Sequence, residues 1–217
     1  MRYIDMQTWS RRNHFRVFNT FNHPHFNMCV NLDVTAFYPF VKHKGYSLTI
    51  SMVYIIARAS NAIPEFRQRI RGDQVVEHEI VNPGFSILID KDLFSFCPVE
   101  YAEDFSGFAQ RAAKSISYVK AHPDLENNPE KDDVLYMSPI PWVSFTSFSH
   151  PAFGFAFRFQ IILTESWISE KTLVAPISRV AKPTIAVKWV FPLSDALRII
   201  SWIWAAAAGP IKFFACR

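Results

Sequence analysis

The spacing of apolar residues predicts three helices in the first part of the chain. Residues 47–63 place their apolar positions on one stripe at helical spacing, which indicates a helix with one buried face. A second helix is predicted from about Ala102 to Lys120. Residues 9–18 predict a short helix capped by Ser10. Three aromatic residues are expected to dock that short helix on the body: Trp9, Phe15 and Phe18.

Segments rich in β-forming residues lie between these helices. Residues 26–34 alternate in their second half, which predicts a strand. Gly72-Asp73 separates two polar–apolar stretches and is the sequence form of a tight hairpin turn. Residues 85–89 and 93–97 predict a second strand pair, and a buried strand region is expected over 135–148.

The composition is that of a globular protein. The chain has 217 residues, of which 50% are hydrophobic and 19% charged, and 21 are phenylalanine. Such a chain buries a full core, so a single domain over 1–217 is expected. The last apolar run, 199–208, is too short to span a bilayer, and no membrane partner is expected.

The positive charge of the chain is confined to its last third. The formal net charge is +4, yet residues 1–150 hold 15 Lys/Arg against 16 Asp/Glu. All seven histidines precede Pro151, whereas four of the six tryptophans follow it. The segment 151–217 is therefore anomalous in composition. Since the basic excess belongs to this segment alone, nucleic acid is not expected as a partner.

The cysteines and the N-terminus predict a cytoplasmic protein. Cys29, Cys97 and Cys216 are odd in number and form no CxxC pair, which argues against a disulfide framework and against a zinc or other metal site. An acid at Asp5 and the pair Arg11-Arg12 interrupt any apolar signal-peptide core.

Four segments, taken in order, carry a family resemblance. They are Trp9-x-Arg11-Arg12-x-His14-Phe15, Asn61-x-Ile63-Pro64-Glu65-Phe66-Arg67, Phe94-Ser95-Phe96-Cys97-Pro98 and Pro141-Trp142-Val143-Ser144-Phe145-Thr146-Ser147-Phe148. Each is weak alone, but their order and spacing over about residues 1–150 resemble the type A chloramphenicol O-acetyltransferase family. The resemblance implies an α/β two-layer sandwich with a mixed β-sheet, the CoA-dependent acyltransferase fold. It also implies a homotrimer that transfers acetyl from acetyl-CoA to the hydroxyl of chloramphenicol or a similar compound.

The resemblance assigns roles to five residues. Ser147 matches the serine whose hydroxyl stabilises the tetrahedral oxyanion. Arg11 matches a structural arginine that pairs with the aspartate of the family's histidine motif. Phe18, Phe94 and Phe96 fall where the family places walls of the drug pocket, and Phe18 stands where the family often has tyrosine.

The family's general base is missing. It lies in a His-His-x-x-x-Asp-Gly motif downstream of the serine segment, and no histidine follows His150 here. His150 itself lies three residues beyond Ser147, which along a strand turns it to the opposite face. We therefore do not expect it to act as the base.

Three explanations account for this absence. A change of reading frame near position 151 explains a simultaneous shift in charge, histidine and tryptophan content, and it predicts a poorly stable protein. A divergent active enzyme with a rebuilt last third is the second. The third is a catalytically inactive homologue that binds drug or CoA, or regulates a partner. The sequence favours a family member whose acetyl transfer is impaired.

Overall fold

The computed structural model describes residues 1–21, 26–31, 34–125, 131–140, 160–164 and 184–189. In chain order its elements are β1 (Arg2–Tyr3), α1 (Arg12–Phe18), β2 (Phe26–Asn31), α2 (Phe37–His43), α3 (Leu48–Ala62), a 3₁₀ turn (Pro64–Arg67), β3 (Gln68–Arg71), β4 (Gln74–Glu77), β5 (Asn82–Leu88), β6 (Phe94–Pro98), α4 (Phe105–Ala121), β7 (Val134–Pro139), β8 (Gln160–Thr164) and β9 (Thr184–Trp189). Within this described part, no helix is long and apolar enough to cross a membrane.

Six strands form one mixed sheet in the order β2-β9-β8-β7-β5-β6. The pairs β5–β7 and β7–β8 are parallel, whereas β5–β6, β8–β9 and β9–β2 are antiparallel. Both strands from the anomalous segment lie inside this sheet. Strand β9 is the neighbour that links β2 to the others, so β2 depends on the last third of the chain for its place in the sheet.

Helices α3 and α4 cover one face of the sheet and enclose the core. The side chain of Ser47 caps α3 and that of Asp104 caps α4, each by accepting a backbone N–H three residues on. Strands β5, β6 and β7 contribute odd-numbered residues to this core. Its largest fully buried side chains are Tyr54, Phe37, Phe66, Phe85, Phe108, Ile55, Ile56, Leu135 and Met137. The predicted two-layer α/β arrangement with a mixed sheet is thereby confirmed.

A smaller sheet of order β1-β4-β3 lies beside the 3₁₀ turn. Its β3–β4 hairpin turns at Gly72, whose φ of +60° is in the left-handed region that glycine adopts without a steric penalty. The hairpin predicted at Gly72-Asp73 is therefore confirmed.

Arg69 joins the smaller sheet to the start of β7. Its side chain is buried, and its guanidinium donates hydrogen bonds to four backbone carbonyls. The acceptors are Asp132 O (2.6 Å), Phe66 O (2.9 Å), Gln68 O (2.7 Å) and Val134 O (3.1 Å). Burial lowers the pKa of Arg69 to about 10, so the side chain remains charged at neutral pH.

Ion pairs extend this junction on both sides. Arg71 binds both oxygens of Asp132, at 2.8 and 2.9 Å, and this bond lowers the pKa of Asp132. His78 Nε2 lies 2.9 Å from Asp132 Oδ1 without hydrogen-bond geometry, and burial lowers the pKa of His78. Glu77 pairs with Arg67 at 3.1 Å and with the exposed Arg2 at 3.0 Å.

The first helix differs from its prediction. It begins at Arg12, its N-terminal neighbour Arg11 makes no side-chain cap, and Ser10 lies outside it. Phe15 is buried as expected, but Phe18 is 45% exposed and does not dock the helix on the core. Two turns of helix offer too few positions for the sequence pattern to separate a buried stripe from an exposed one.

Other predictions agree with the elements or fall outside them. The predicted helices over 47–63 and 102–120 correspond to α3 and α4, and the predicted strand pair to β5 and β6. Strand β7 ends at Pro139. The remainder of the predicted strand region, 141–148, and the terminal run 199–208 lie outside the described residues.

Candidate active site

The face of the large sheet opposite the helices carries aromatic residues. Because side chains alternate along a strand, Phe85, Cys97 and Leu135 point into the helix-covered core. Phe94 and Phe96 on β6 and Tyr136 on β7 take the alternate positions, which belong to the opposite face. Two of the predicted pocket residues, Phe94 and Phe96, are thus brought to one face of one strand.

Phe96 is held in place by its neighbours. Its ring lies 5.0 Å from that of Tyr136, centroid to centroid, at an interplanar angle of 33°. The absence of a side chain at Gly84 makes room for the ring, since a β-carbon added there lies 2.5 Å from Phe96 Cζ. Tyr136 was not among the pocket residues predicted from the sequence. The buried residues Leu135 and Met137 on either side of it were the signal that it faces the other way.

Phe94 forms the open end of this aromatic surface. It is 57% exposed and lies opposite Leu88, which is also exposed, at the tip of the β5–β6 hairpin. An apolar ring in this state leaves a large area for a ligand or another protein surface to cover.

Phe18 lies apart from the other two predicted pocket residues. It ends α1, and its ring makes an edge contact with that of Phe21 at 5.4 Å. No ring contact joins Phe18 to Phe94 or Phe96 in the described part of the chain. The structure therefore groups Phe94 and Phe96 and leaves the relation of Phe18 to them a prediction.

Arg11 has a carboxylate partner that was not predicted from the sequence. Its Nη2 lies 3.2 Å from Oε1 of Glu65, and both side chains are largely buried, at 24% and 14% exposure. Glu65 belongs to the Asn61-to-Arg67 motif, so two of the segments that carry the resemblance meet here. The ion pair had no signal in the sequence beyond the presence of both residues in ordered motifs.

The predicted oxyanion serine, Ser147, lies outside the described residues, as does His150. Among the described histidines, His78 is held beside Asp132 in the junction between the sheets. His122 stacks on Tyr118 at 4.7 Å, and its Nδ1 lies 3.1 Å from Tyr118 O. His78 thus lies next to a carboxylate, and His122 next to an aromatic ring and a backbone carbonyl.

The lineage of the chain follows from its sequence match. The sequence profile of the family described as chloramphenicol acetyltransferase matches residues 1–178. The chain belongs to the chloramphenicol acetyltransferase family. The matched range extends past Pro151, so the change of composition there does not coincide with the end of the profile match.

Individual relatives agree with this assignment. A chloramphenicol acetyltransferase from Proteus mirabilis is 32% identical over 149 residues, which are 67% of this chain and 68% of that protein. A solved chloramphenicol acetyltransferase has a TM-score of 0.76 at 20% identity, covering 93% of this chain and 97% of the other. A dihydrolipoamide acetyltransferase from Azotobacter vinelandii has a TM-score of 0.62 at 12% identity, covering 93% and 88%. This chain therefore has the fold of CoA-dependent acyltransferases.

Proposed function

We propose that this chloramphenicol acetyltransferase family member binds chloramphenicol or a similar hydroxyl compound, and that its acetyl transfer from acetyl-CoA is impaired. Family membership supports the binding half of this proposal. The impairment rests on one observation, the absence of any histidine after His150.

The reaction needs a base within hydrogen-bond reach of the acceptor hydroxyl. A neutral imidazole suits this task near pH 7, because its ordinary pKa is about 6.5. The acids available after Pro151 are Glu165, Glu170 and Asp195. Ordinary carboxylates have pKa values of about 4 and remove an alcohol proton poorly. Ser147 as oxyanion donor accounts for only part of the rate, on the order of 10²–10³.

The aromatic face supports an apolar acceptor. Phe94 offers exposed ring surface, and Phe96 is fixed beside Tyr136 and so presents a rigid surface. A nitrophenyl ring such as that of chloramphenicol stacks on aromatic rings of this kind and removes their apolar area from water. We place the acceptor's ring on this face.

The assembly and the co-substrate complete the proposal. We propose a homotrimer with its sites in clefts between subunits, in which the adjacent subunit lies opposite the exposed ring of Phe94. Acetyl-CoA is the proposed acyl donor, since the fold is that of acyltransferases that use acyl-CoA. We propose a cytoplasmic location, where acetyl-CoA is available.

A paired binding and turnover assay tests the proposal. Purified chain is titrated with chloramphenicol by isothermal calorimetry, and release of CoA thiol from acetyl-CoA is followed with a thiol reagent with and without the drug. We expect saturable drug binding and drug-dependent thiol release at least 10³-fold below that of an intact relative assayed in parallel. Thiol release at the relative's rate contradicts impairment, and failure to bind the drug contradicts the proposed ligand.

A catalytically inactive homologue that binds drug or CoA, or regulates a partner, is the second candidate. The same missing histidine favours it. The Ser147→Ala variant separates the two: residual drug-dependent thiol release that falls further in this variant identifies a weak enzyme. Release that equals the background without drug in both chains identifies a binding protein.

A further inference from the structure

The Arg11–Glu65 ion pair joins the residue before α1 to the 3₁₀ turn that follows α3. Pro64 opens the 3₁₀ turn that carries Glu65, and Phe66 directly after it is fully buried in the core. The carbonyl of Phe66 also accepts a hydrogen bond from the buried Arg69. Glu65 therefore stands on a backbone that is fixed on both sides.

Glu65 depends on Arg11 for its charge balance. Its Oε1 faces Arg11, and its Oε2 is buried and has no hydrogen-bond partner in the described part of the chain. A largely buried carboxylate with one cationic partner is costly to separate from it, since the charge is then left uncompensated. The pair thus fixes the start of α1 firmly to the 3₁₀ turn.

Arg11 lies at the start of the helix that carries the predicted pocket residue Phe18. The carbonyl of Arg11, the N-cap residue, accepts the hydrogen bond from the N–H of Phe15, so Arg11 is joined to the first turn of α1. Phe15 and Phe18 are three positions apart and therefore lie on one face of α1, which Arg11 precedes. Arg11 is held by Glu65 and Phe15 is buried, so these two residues together set the position of Phe18.

We infer that Glu65 is a positioning residue, which acts through Arg11 to hold α1 and its terminal Phe18 in place for the acceptor. This inference rests on the proposed binding of chloramphenicol. It also rests on the carboxylate of Glu65, which pairs with Arg11 in a chain that lacks the family's histidine motif.

A double-mutant cycle on drug affinity tests the coupling. The variants are Glu65→Gln, Phe18→Leu and the two combined, with Glu79→Gln as the matched control because Glu79 is 89% exposed. We expect Glu65→Gln to weaken chloramphenicol binding roughly tenfold and Glu79→Gln to leave it unchanged. In the combined variant the loss should be smaller than the product of the single losses, because Phe18 no longer needs positioning.

Hydrogen exchange in the drug-free chain supplies an independent measurement. Glu65→Gln should raise the exchange rates of the α1 amides at least tenfold and leave those of α4 unchanged, while Glu79→Gln alters neither. Affinity losses that multiply in the combined variant overturn the inference, as does unchanged α1 exchange in Glu65→Gln. If the wild-type chain binds no chloramphenicol, the proposed function falls, and the α1 exchange rates still decide whether Glu65 positions the helix.

Discussion

Replacing Arg69 with methionine should destabilise the chain more than any exposed arginine replacement. Methionine keeps much of the length and apolar stem but donates no hydrogen bonds. Four carbonyls lose a donor: Asp132 O, Phe66 O, Gln68 O and Val134 O. The bonds to Phe66 O and Val134 O are buried, so water does not replace them there.

The magnitude follows from these two buried acceptors. Each buried acceptor that loses its partner costs about 1–3 kcal/mol, so Arg69→Met should lower the free energy of unfolding by roughly 2–6 kcal/mol. The matched control is Arg71→Met. Arg71 is 36% exposed, so water can replace part of its bonding to Asp132, and the loss for Arg71→Met should be smaller, about 1 kcal/mol.

Equilibrium urea unfolding followed by tryptophan fluorescence at neutral pH measures both variants. Arg69→Lys serves as a further comparison: it retains the charge but has only three donors and no planar fork, so it should fall between wild type and Arg69→Met. Equal losses in the free energy of unfolding for Arg69→Met and Arg71→Met contradict the role assigned to Arg69, as does a loss below about 1 kcal/mol for Arg69→Met.

Three further predictions concern the pocket, the last third of the chain and the effect of pH. Gly84→Ala should displace the Phe96 ring, reduce chloramphenicol affinity in calorimetry and cost about 1–3 kcal/mol of stability; unchanged affinity argues against Phe96 as a pocket wall. Deletion of 151–217 removes β8 and β9, so β2 loses its partner strand and the chain should aggregate. A soluble deletion variant with a cooperative melt contradicts this. Because the pKa of His78 is lowered in the fold, the unfolded chain binds its proton first, and stability should fall as pH drops below about 6.5. In His78→Gln the urea midpoint should change less with pH between about pH 7 and pH 5. If it changes as much as in the wild-type chain, another group is responsible. Loss of the Asp132 contribution is expected at more acid pH, below its ordinary value of 3.8.

Local patterns in the sequence were sufficient where an element is long or its turn chemistry is specific. The predicted helix over 47–63 is α3 with Ser47 as its cap, because a fifteen-residue helix repeats its apolar stripe several times. The Gly72 hairpin follows from the conformational freedom of one residue. The short α1 offers only two turns, and the predictions of its cap at Ser10 and of a docked Phe18 were both wrong.

In the candidate site, too, some features follow from local sequence patterns and others depend on contacts between distant segments. Phe94 and Phe96 share a face because alternation along one strand is a local property. Tyr136 joins them through a neighbouring strand that is distant in sequence, and no local pattern indicates which strands become neighbours. The roles of Ser147 and of the pocket phenylalanines stay predictions from the family resemblance.

By itself the sequence determined the family, through the order of its motifs, and the absence of a histidine after His150, which no fold can supply. Only the tertiary structure decided that Arg11 pairs with Glu65, that Arg69 binds four carbonyls, and that β9 lies between β2 and β8. The physical reason is range. Periodicity and turn chemistry act between residues a few positions apart, whereas an ion pair or a strand order depends on where distant segments of the chain meet.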